Sequence, residues 1–292
     1  MSETAENTTP QATAGPVVCG YDGSRDARRA VTWAAEWARS HDVALNVISA
    51  DRAVGRVVAF DETARANVEG AMRDQLAELT AGVQASFRVI ADSPVGALIE
   101  AGRGASAIIV GSRGLTARED FAMGSTSAGV VEHAACPVIV ITPRTPESPS
   151  SGPVVLAADG SKANDPAAAF AFAEAQRRGT SVRAVHSVEV PKLPGASLFD
   201  LDTLAESVLA EDEEQVLSAL APHEARHPGV SLELILVVGD PATTIADEAD
   251  GASLLVTGSR GHGGFAGLLL GSVSRRLLQT APCAVAVIRP AD

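Results

Sequence analysis

The chain is poor in positive charge, with 23 Lys and Arg against 36 Asp and Glu, a formal net charge of −13. That balance argues against nucleic acid or an anionic membrane as a partner held by bulk electrostatics. It contains no uninterrupted apolar run of the ~18 residues that a transmembrane helix needs. Residues 1–15 are polar, carry Glu3 and Glu6, and have no apolar centre. They read as a disordered tail rather than a signal peptide or anchor, and the cytoplasm is the expected compartment. Cysteine is scarce: Cys19, Cys136 and Cys283 stand singly in apolar runs with no C-x-x-C spacing, the pattern of buried reduced thiols. His41, His133 and His186 have no His or Cys directly beside them in sequence and are assigned to no metal. Several enzyme signatures are missing as well: G-x-x-x-x-G-K-[ST], G-x-G-x-x-G, G-x-S-x-G and H-E-x-x-H.

What is present is a duplicated glycine motif. Gly111–Ser127 reads GSRGLTAREDFAMGSTS, and Gly258–Ser274 reads GSRGHGGFAGLLLGSVS. In each copy Gly-Ser-Arg-Gly follows an apolar run, nine residues intervene, and Gly-Ser opens a helix-compatible segment. Glycines admit positive φ and let backbone amides approach an anion as a nest, so Gly111, Gly114, Gly258 and Gly261 are candidate binding residues. Gly124 and Gly271 lead into the triplets Ser125–Thr126–Ser127 and Ser272–Val273–Ser274, where a helix start offers unpaired N–H groups and hydroxyls to phosphate. Arg113 and Arg260 inside the turns are suited to pairing with phosphate oxygens. Helix capping alone needs one Ser or Gly, not this spacing held twice. The first loop carries Glu119 and Asp120 and the second carries His262, with no counterparts in the other copy, so no shared metal-ligating carboxylate is expected.

The repeat extends along the chain. Val17–Ser24, VVCGYDGS, answers Val154–Ser161, VVLAADGS, at a shift of 137, whereas Pro94 and the glycine motifs answer their partners at 147. The extra residues of the second half are expected around Pro191–Leu201 and the strand near Ser231. Residues 143–153, PRTPESPSSGP, cannot continue a strand or helix. The expected organisation is a tail (1–15), domain 1 (16–143), a linker (144–153) and domain 2 (154–292). Within each half, short apolar runs alternate with helix-period segments, and the run Ile108-Ile109-Val110 is apolar on both faces. These features predict an α/β fold of two tandem, doubly wound, parallel five-stranded sheets with helices on both faces. Ligands of such folds sit beyond the carboxyl ends of strands where strand order reverses. There the first and fourth strands bring Asp22-Gly23 to Gly111–Gly114, and Asp159-Gly160 to Gly258–Gly261. Val110 and Thr257 precede the glycine turns and would form pocket wall.

Glycine, two residues, glycine, nine residues, glycine, Ser or Thr resembles the nucleotide motif of ATP-binding universal stress proteins, and both halves match it. The likeness covers nearly the whole chain outside the tail and linker, as in tandem members of the actinobacterial type. It implies a Rossmann-like, adenine-nucleotide-hydrolase-like fold and ATP as ligand, with Mg²⁺ carried on the phosphates rather than by protein side chains. It also places adenosine-contacting carboxylates at Asp22 and Asp159, and contacts at the end of strand two at Ala50 and Ser187, neither of which is the common valine. Relatives pair their last strands across a two-domain interface, so Val138–Thr142 and Ala284–Arg289 are expected to form an internal pseudo-dimer, with a homodimer of chains left open.

Three function classes are weighed. The first is a regulatory module in the stress response that signals by nucleotide occupancy to a protein partner, with cyclic AMP as an alternative ligand. The second is a slow ATPase or phosphotransferase, which would need a positioned base or water-orienting group in both copies. The third is a pair of structural domains with vestigial sites, against which stand the complete motifs. No catalytic residue is assigned.

Overall fold

The computed structural model describes residues 15–50, 61–114, 123–148, 150–188, 198–261 and 269–290, without the side chains of 198–209. The first half runs β1 (Val17–Gly20), α1 (Arg25–His41), β2 (Leu45–Ala50), α2 (Glu62–Leu76), β3 (Ala85–Ile90), α3 (Pro94–Ala101), β4 (Ala107–Gly111), α4 (Ser125–His133) and β5 (Val138–Ile141). The second runs β6 (Val154–Ala157), a 3₁₀ turn (Lys162–Asn164), α5 (Asp165–Arg178), β7 (Val182–Val188) and α6 (Leu198–Arg226). It closes with β8 (Leu232–Val238), α7 (Pro241–Glu248), β9 (Leu254–Gly258), α8 (Ser272–Thr280) and β10 (Val285–Ile288).

The strands form one ten-stranded sheet in the order β3-β2-β1-β4-β5-β10-β9-β6-β7-β8. Each half is parallel and doubly wound, with strand order reversing between β1 and β4, and between β6 and β9. The two five-stranded sheets expected from the sequence are therefore present but fused edge to edge. Their seam is the antiparallel pair β5–β10, with Ile139 opposite Ala286. All four residues of β5 and all four of β10 are buried. Pairing these two strands with each other removes an edge that would otherwise expose apolar, unpaired backbone.

One continuous core covers each face of the sheet. Trp33, Leu76, Phe172 and Leu220 belong to one, packed under α1, α2, α5 and α6. Leu98, Val131, Ile245 and Leu278 belong to the other, under α3, α4, α7 and α8. Both cores draw on both halves. Further ties cross the seam. Thr142 Oγ1 donates to the Ala281 carbonyl at 3.0 Å, and Trp37 stacks on Phe170 with ring centroids 6.1 Å apart. His41 Nε2 lies 2.8 Å from Glu174 Oε1, both side chains buried, and Arg178 Nε meets the other Glu174 oxygen at 3.2 Å.

Two local expectations shift. The helix that the periodicity predicts over Glu62–Thr80 ends at Leu76, where the Ala77 N–H turns back to the Asp74 carbonyl three residues earlier, at 3.5 Å. The added length of the second half lies in the helix: α6 has 29 residues where α2 has 15. The cysteines are free thiols, and burial pushes Cys136 up to about 11, Cys283 to about 12 and Cys19 higher still. Among the described residues no helix is long and apolar enough to cross a membrane.

A shared core on each face predicts joint unfolding of the halves. Both tryptophans lie on α1, so their fluorescence reports the first half while far-UV circular dichroism reports the whole chain. The two urea transitions should coincide, and Glu174→Ala should move both together by about 1–3 kcal/mol. Separated transitions, or a shift in only one probe, would contradict a cooperative seam.

Candidate functional site

At each switch point the fold carries the strand ends to one crevice while the following helices leave on opposite faces of the sheet. In the second half all ten residues singled out above line a single cavity of about 450 Å³: Asp159, Ser187, Thr257, Gly258, Arg260, Gly261, Gly271, Ser272, Val273 and Ser274. Asn164, His186, Pro241 and Ile245 line it too. Of these, Pro241 repeats Pro94 and so carried a sequence signal, whereas Asn164 stands where the first half has Ala27 and carried none.

The floor of each crevice is a helix start clipped to a glycine turn. Ser274 Oγ donates to the Gly258 carbonyl at 2.7 Å, and Gly271 N–H donates to the Ser259 carbonyl at 2.8 Å. The first half repeats both bonds, Ser127 Oγ to Gly111 at 2.6 Å and Gly124 N–H to Ser112 at 2.7 Å. Ser127 and Ser274 thus spend their hydroxyl protons inside the protein. Ser125 and Ser272 remain exposed, with Thr126 and Val273 partly buried behind them. Gly124 and Gly271 are the N-caps and supply no side-chain hydrogen bond. By contrast Ser24, Asp61, Ser93 and Asp240 close the starts of α1, α2, α3 and α7 with side-chain oxygens. The two helices that follow the glycine motifs have no such cap, a lack shared by α5, which is entered through a 3₁₀ turn; the first amides and partial positive charge of α4 and α8 face the crevice.

Gly111, Gly114, Gly258 and Gly261 allow close approach rather than positive φ. None of Gly111, Gly114, Gly124, Gly258, Gly261 or Gly271 has positive φ; that conformation falls on Gly23 (85°) and Gly160 (69°), just after the aspartates. A Cβ on Gly114 would lie 2.6 Å from Asp22 Oδ2, and one on Gly261 would lie 3.1 Å from Asp159 Oδ2. Each aspartate accepts from the serine two residues on, Asp22 Oδ1 from Ser24 N–H at 3.0 Å and Asp159 Oδ1 from Ser161 N–H at 2.9 Å. This turn presents the second carboxylate oxygen to the glycine loop.

The two crevices differ. Arg113 Nε donates to Asp26 Oδ2 at 3.3 Å, where Ser112 Oγ also donates at 3.2 Å. Asp26 repeats as Ala163 in the second half, so Arg260 has no acid at that position to pair with among the described residues and lines the cavity. Gly111 is the tighter glycine: a Cβ would sit 2.7 Å from the Asp26 backbone, against 3.0 Å from the Arg260 carbonyl for Gly258. Ala50 ends β2 packed against the same core in which Val110 is buried. At the corresponding places Ser187 Oγ donates to the Gly239 carbonyl at 3.0 Å, and Thr257 Oγ1 lies 3.3 Å from Ser274 Oγ. His186 bridges the Ala158 carbonyl at 2.8 Å and Asp212 at 3.2 Å, so it and His41 each meet a carboxylate that sequence adjacency did not show. Among the described residues no group of three or more His, Cys, Asp or Glu is arranged to hold a metal. Glu119, Asp120 and His262 lie outside the described residues.

The sequence profile of the universal stress protein family matches residues 14–142 and again 151–289. A universal stress protein of Mycolicibacterium smegmatis is 34% identical, the match covering 94% of this chain and 97% of that one. The solved structure of a universal stress protein from Archaeoglobus fulgidus superposes with a TM-score of 0.66 at 19% identity, covering 95% of this chain and 99% of that one. Another protein of that organism and family, solved in complex with dAMP, is 28% identical over 47% of this chain and 98% of its own, with a TM-score of 0.33.

The difference in crowding predicts that Gly111→Ala is more destabilising than Gly258→Ala by about 1–3 kcal/mol. Urea denaturation of the two variants measures this. Equal losses would show that the Asp26 backbone does not confine the first turn.

Proposed function

The chain belongs to the universal stress protein family, and on that premise we propose that it binds ATP, one molecule per half, and acts in the stress response through occupancy rather than rapid turnover. The observation that carries this reading is the pair of uncapped helix starts, α4 and α8, each clipped to a glycine turn that faces an aspartate. Phosphates would lie on the amides of Ser125–Ser127 and Ser272–Ser274, the ribose or adenine edge on Asp22 and Asp159, and the base toward Ala50 and Val110 or Ser187 and Thr257. Residues 16–143 and 154–292, joined by 144–153, are then two binding units. A cavity of about 450 Å³ falls within the size range of small-molecule and cofactor sites. Mg²⁺ would travel on the phosphate oxygens. Rapid phosphoryl transfer needs an oriented acceptor and usually metal-holding carboxylates. Among the described residues the only carboxylate lining the second cavity is Asp159. Filling a site stabilises whichever arrangement of the chain holds the ligand, and this linkage is the means by which occupancy would signal to a protein partner.

The two sites should be unequal, because Arg113 is already committed to Asp26 while Arg260 is not. Titration calorimetry should count two ATP per chain. Arg260→Ala should weaken the second site about tenfold, as for a lost charge-assisted hydrogen bond, and Arg113→Ala should weaken the first far less. Single-turnover hydrolysis should stay well below about one per second. Failure to bind adenine nucleotide would refute the proposal, and turnover at ordinary enzyme rates that Asp22→Ala or Asp159→Ala abolished would replace occupancy with catalysis.

A further inference from the structure

A second cavity of about 330 Å³ lies on the opposite side of the Asp159 turn from the crevice, under α5 and α6. Its walls are mixed: Ala158, Ala168, Val216, Ala219 and Leu220 form an apolar side, and Ser161, Lys162, Asn164 and Asp165 a polar one. The internal repeat explains why it is there. Ala158 answers Tyr21 at the shift of 137, and Ala168 answers Val31. In the first half Tyr21 is buried in the equivalent core, and its hydroxyl donates to Gln75 Oε1 on α2 at 3.1 Å. The second half keeps the same sheet, strand order and flanking helices but replaces the phenol with a methyl group and the valine with alanine. The volume that the first half fills with its own aromatic ring is left as a cavity.

One polar group in that cavity is unspent. Ser161 lines it, and its Oγ is buried with no hydrogen-bond partner among the described residues. Its counterpart Ser24 uses the same oxygen to cap α1, accepting from Ala27 N–H at 3.1 Å. The chain enters α5 through a 3₁₀ turn instead, and Ser161 caps nothing. A buried hydroxyl without a partner costs free energy that a ligand group would recover.

From the vacated ring volume and the unpaired serine we infer that the second half has a site for a small single-ring aromatic bearing a hydroxyl, a phenol-class ligand, distinct from the glycine-motif crevice. An apolar cavity of about 150 Å³ already admits benzene, so this one takes a ring with a substituent. The ring would occupy the space of the missing Tyr21 equivalent, and its hydroxyl would bond with Ser161 Oγ. Both cavities touch Ala158 and Asn164, which places the two sites on opposite sides of one turn.

The test is titration of the full-length protein with p-cresol, the Tyr21 side chain as a free molecule, followed by ligand-observed NMR. Saturable binding of one molecule per chain, millimolar or tighter, is expected. Ala158→Tyr supplies the ring covalently and Ala219→Phe fills the cavity from α6, so each should weaken binding at least about tenfold. Ser161→Ala should weaken p-cresol severalfold while leaving toluene unchanged, a comparison that stands even if the filling variants do not fold. Tyr21→Ala vacates the first-half volume and should add a second p-cresol per chain. Absence of saturable binding, indifference to both filling variants, or equal response of p-cresol and toluene to Ser161→Ala would overturn the inference. So would binding that Gly258→Val removed and Ala219→Phe left intact, since that pattern belongs to the other cavity.

Discussion

The hydroxyl bonds from Ser127 to Gly111 and from Ser274 to Gly258 fix the rest of the molecule's chemistry, because each ties a helix start to the end of a central strand. Without that tie the uncapped amides of α4 and α8 would point wherever the loops before them allowed. With it they are held over the sheet at the switch point, in register with Asp22 or Asp159. The clip requires a serine at the third helical position, a glycine at the strand end, and a partner strand that brings the aspartate alongside. β4 and β9 supply the last condition by pairing with β1 and β6. A polar, partly positive cradle is thus built on strands that are apolar on both faces, so its geometry depends on packing more than on its own few hydrogen bonds.

Duplication gave the two halves one plan, and single replacements made them unlike. Asp26 against Ala163 decides whether the loop arginine is tethered, and Tyr21 against Ala158 decides whether the space beneath the aspartate turn is filled. Neither replacement disturbs the strand order. The seam explains part of this tolerance. With β5 and β10 paired and both cores continuous across them, each half draws on packing supplied by the other. Local losses such as a vacated ring volume then fall on a larger cooperative unit than one five-stranded sheet.

Much of this was legible in the sequence because it rests on spacing. The alternation of apolar runs and helix periods gave the parallel sheet, and the position of Asp22 and the glycine turns after strands one and four gave the crevice. What was not legible depends on contacts between residues far apart in the chain. Asp26 and Arg113 are separated by 87 positions, and His41 and Glu174 by 133, so no local pattern announces either pair. The positive φ expected of the motif glycines was misplaced for a related reason. Positive φ is a property of one residue and is the usual expectation for a glycine turn, whereas the constraint is the backbone of α1 at Gly111 and an aspartate carboxylate at Gly114 and Gly261. The boundary of α2 shifted where the hydrogen bonding tightened to a three-residue spacing at Ala77.

The central claim is that the open amides of α4 and α8 are where an anionic ligand is held. Backbone amide NMR of the full chain during titration with ATP tests it most directly. The account predicts that the amides of Thr126, Ser127, Val273 and Ser274 shift and exchange more slowly with solvent as ATP saturates, while those of the side-chain-capped starts at Thr63 and Thr243 do not. ATP that saturated the protein while leaving these four amides unmoved would contradict it.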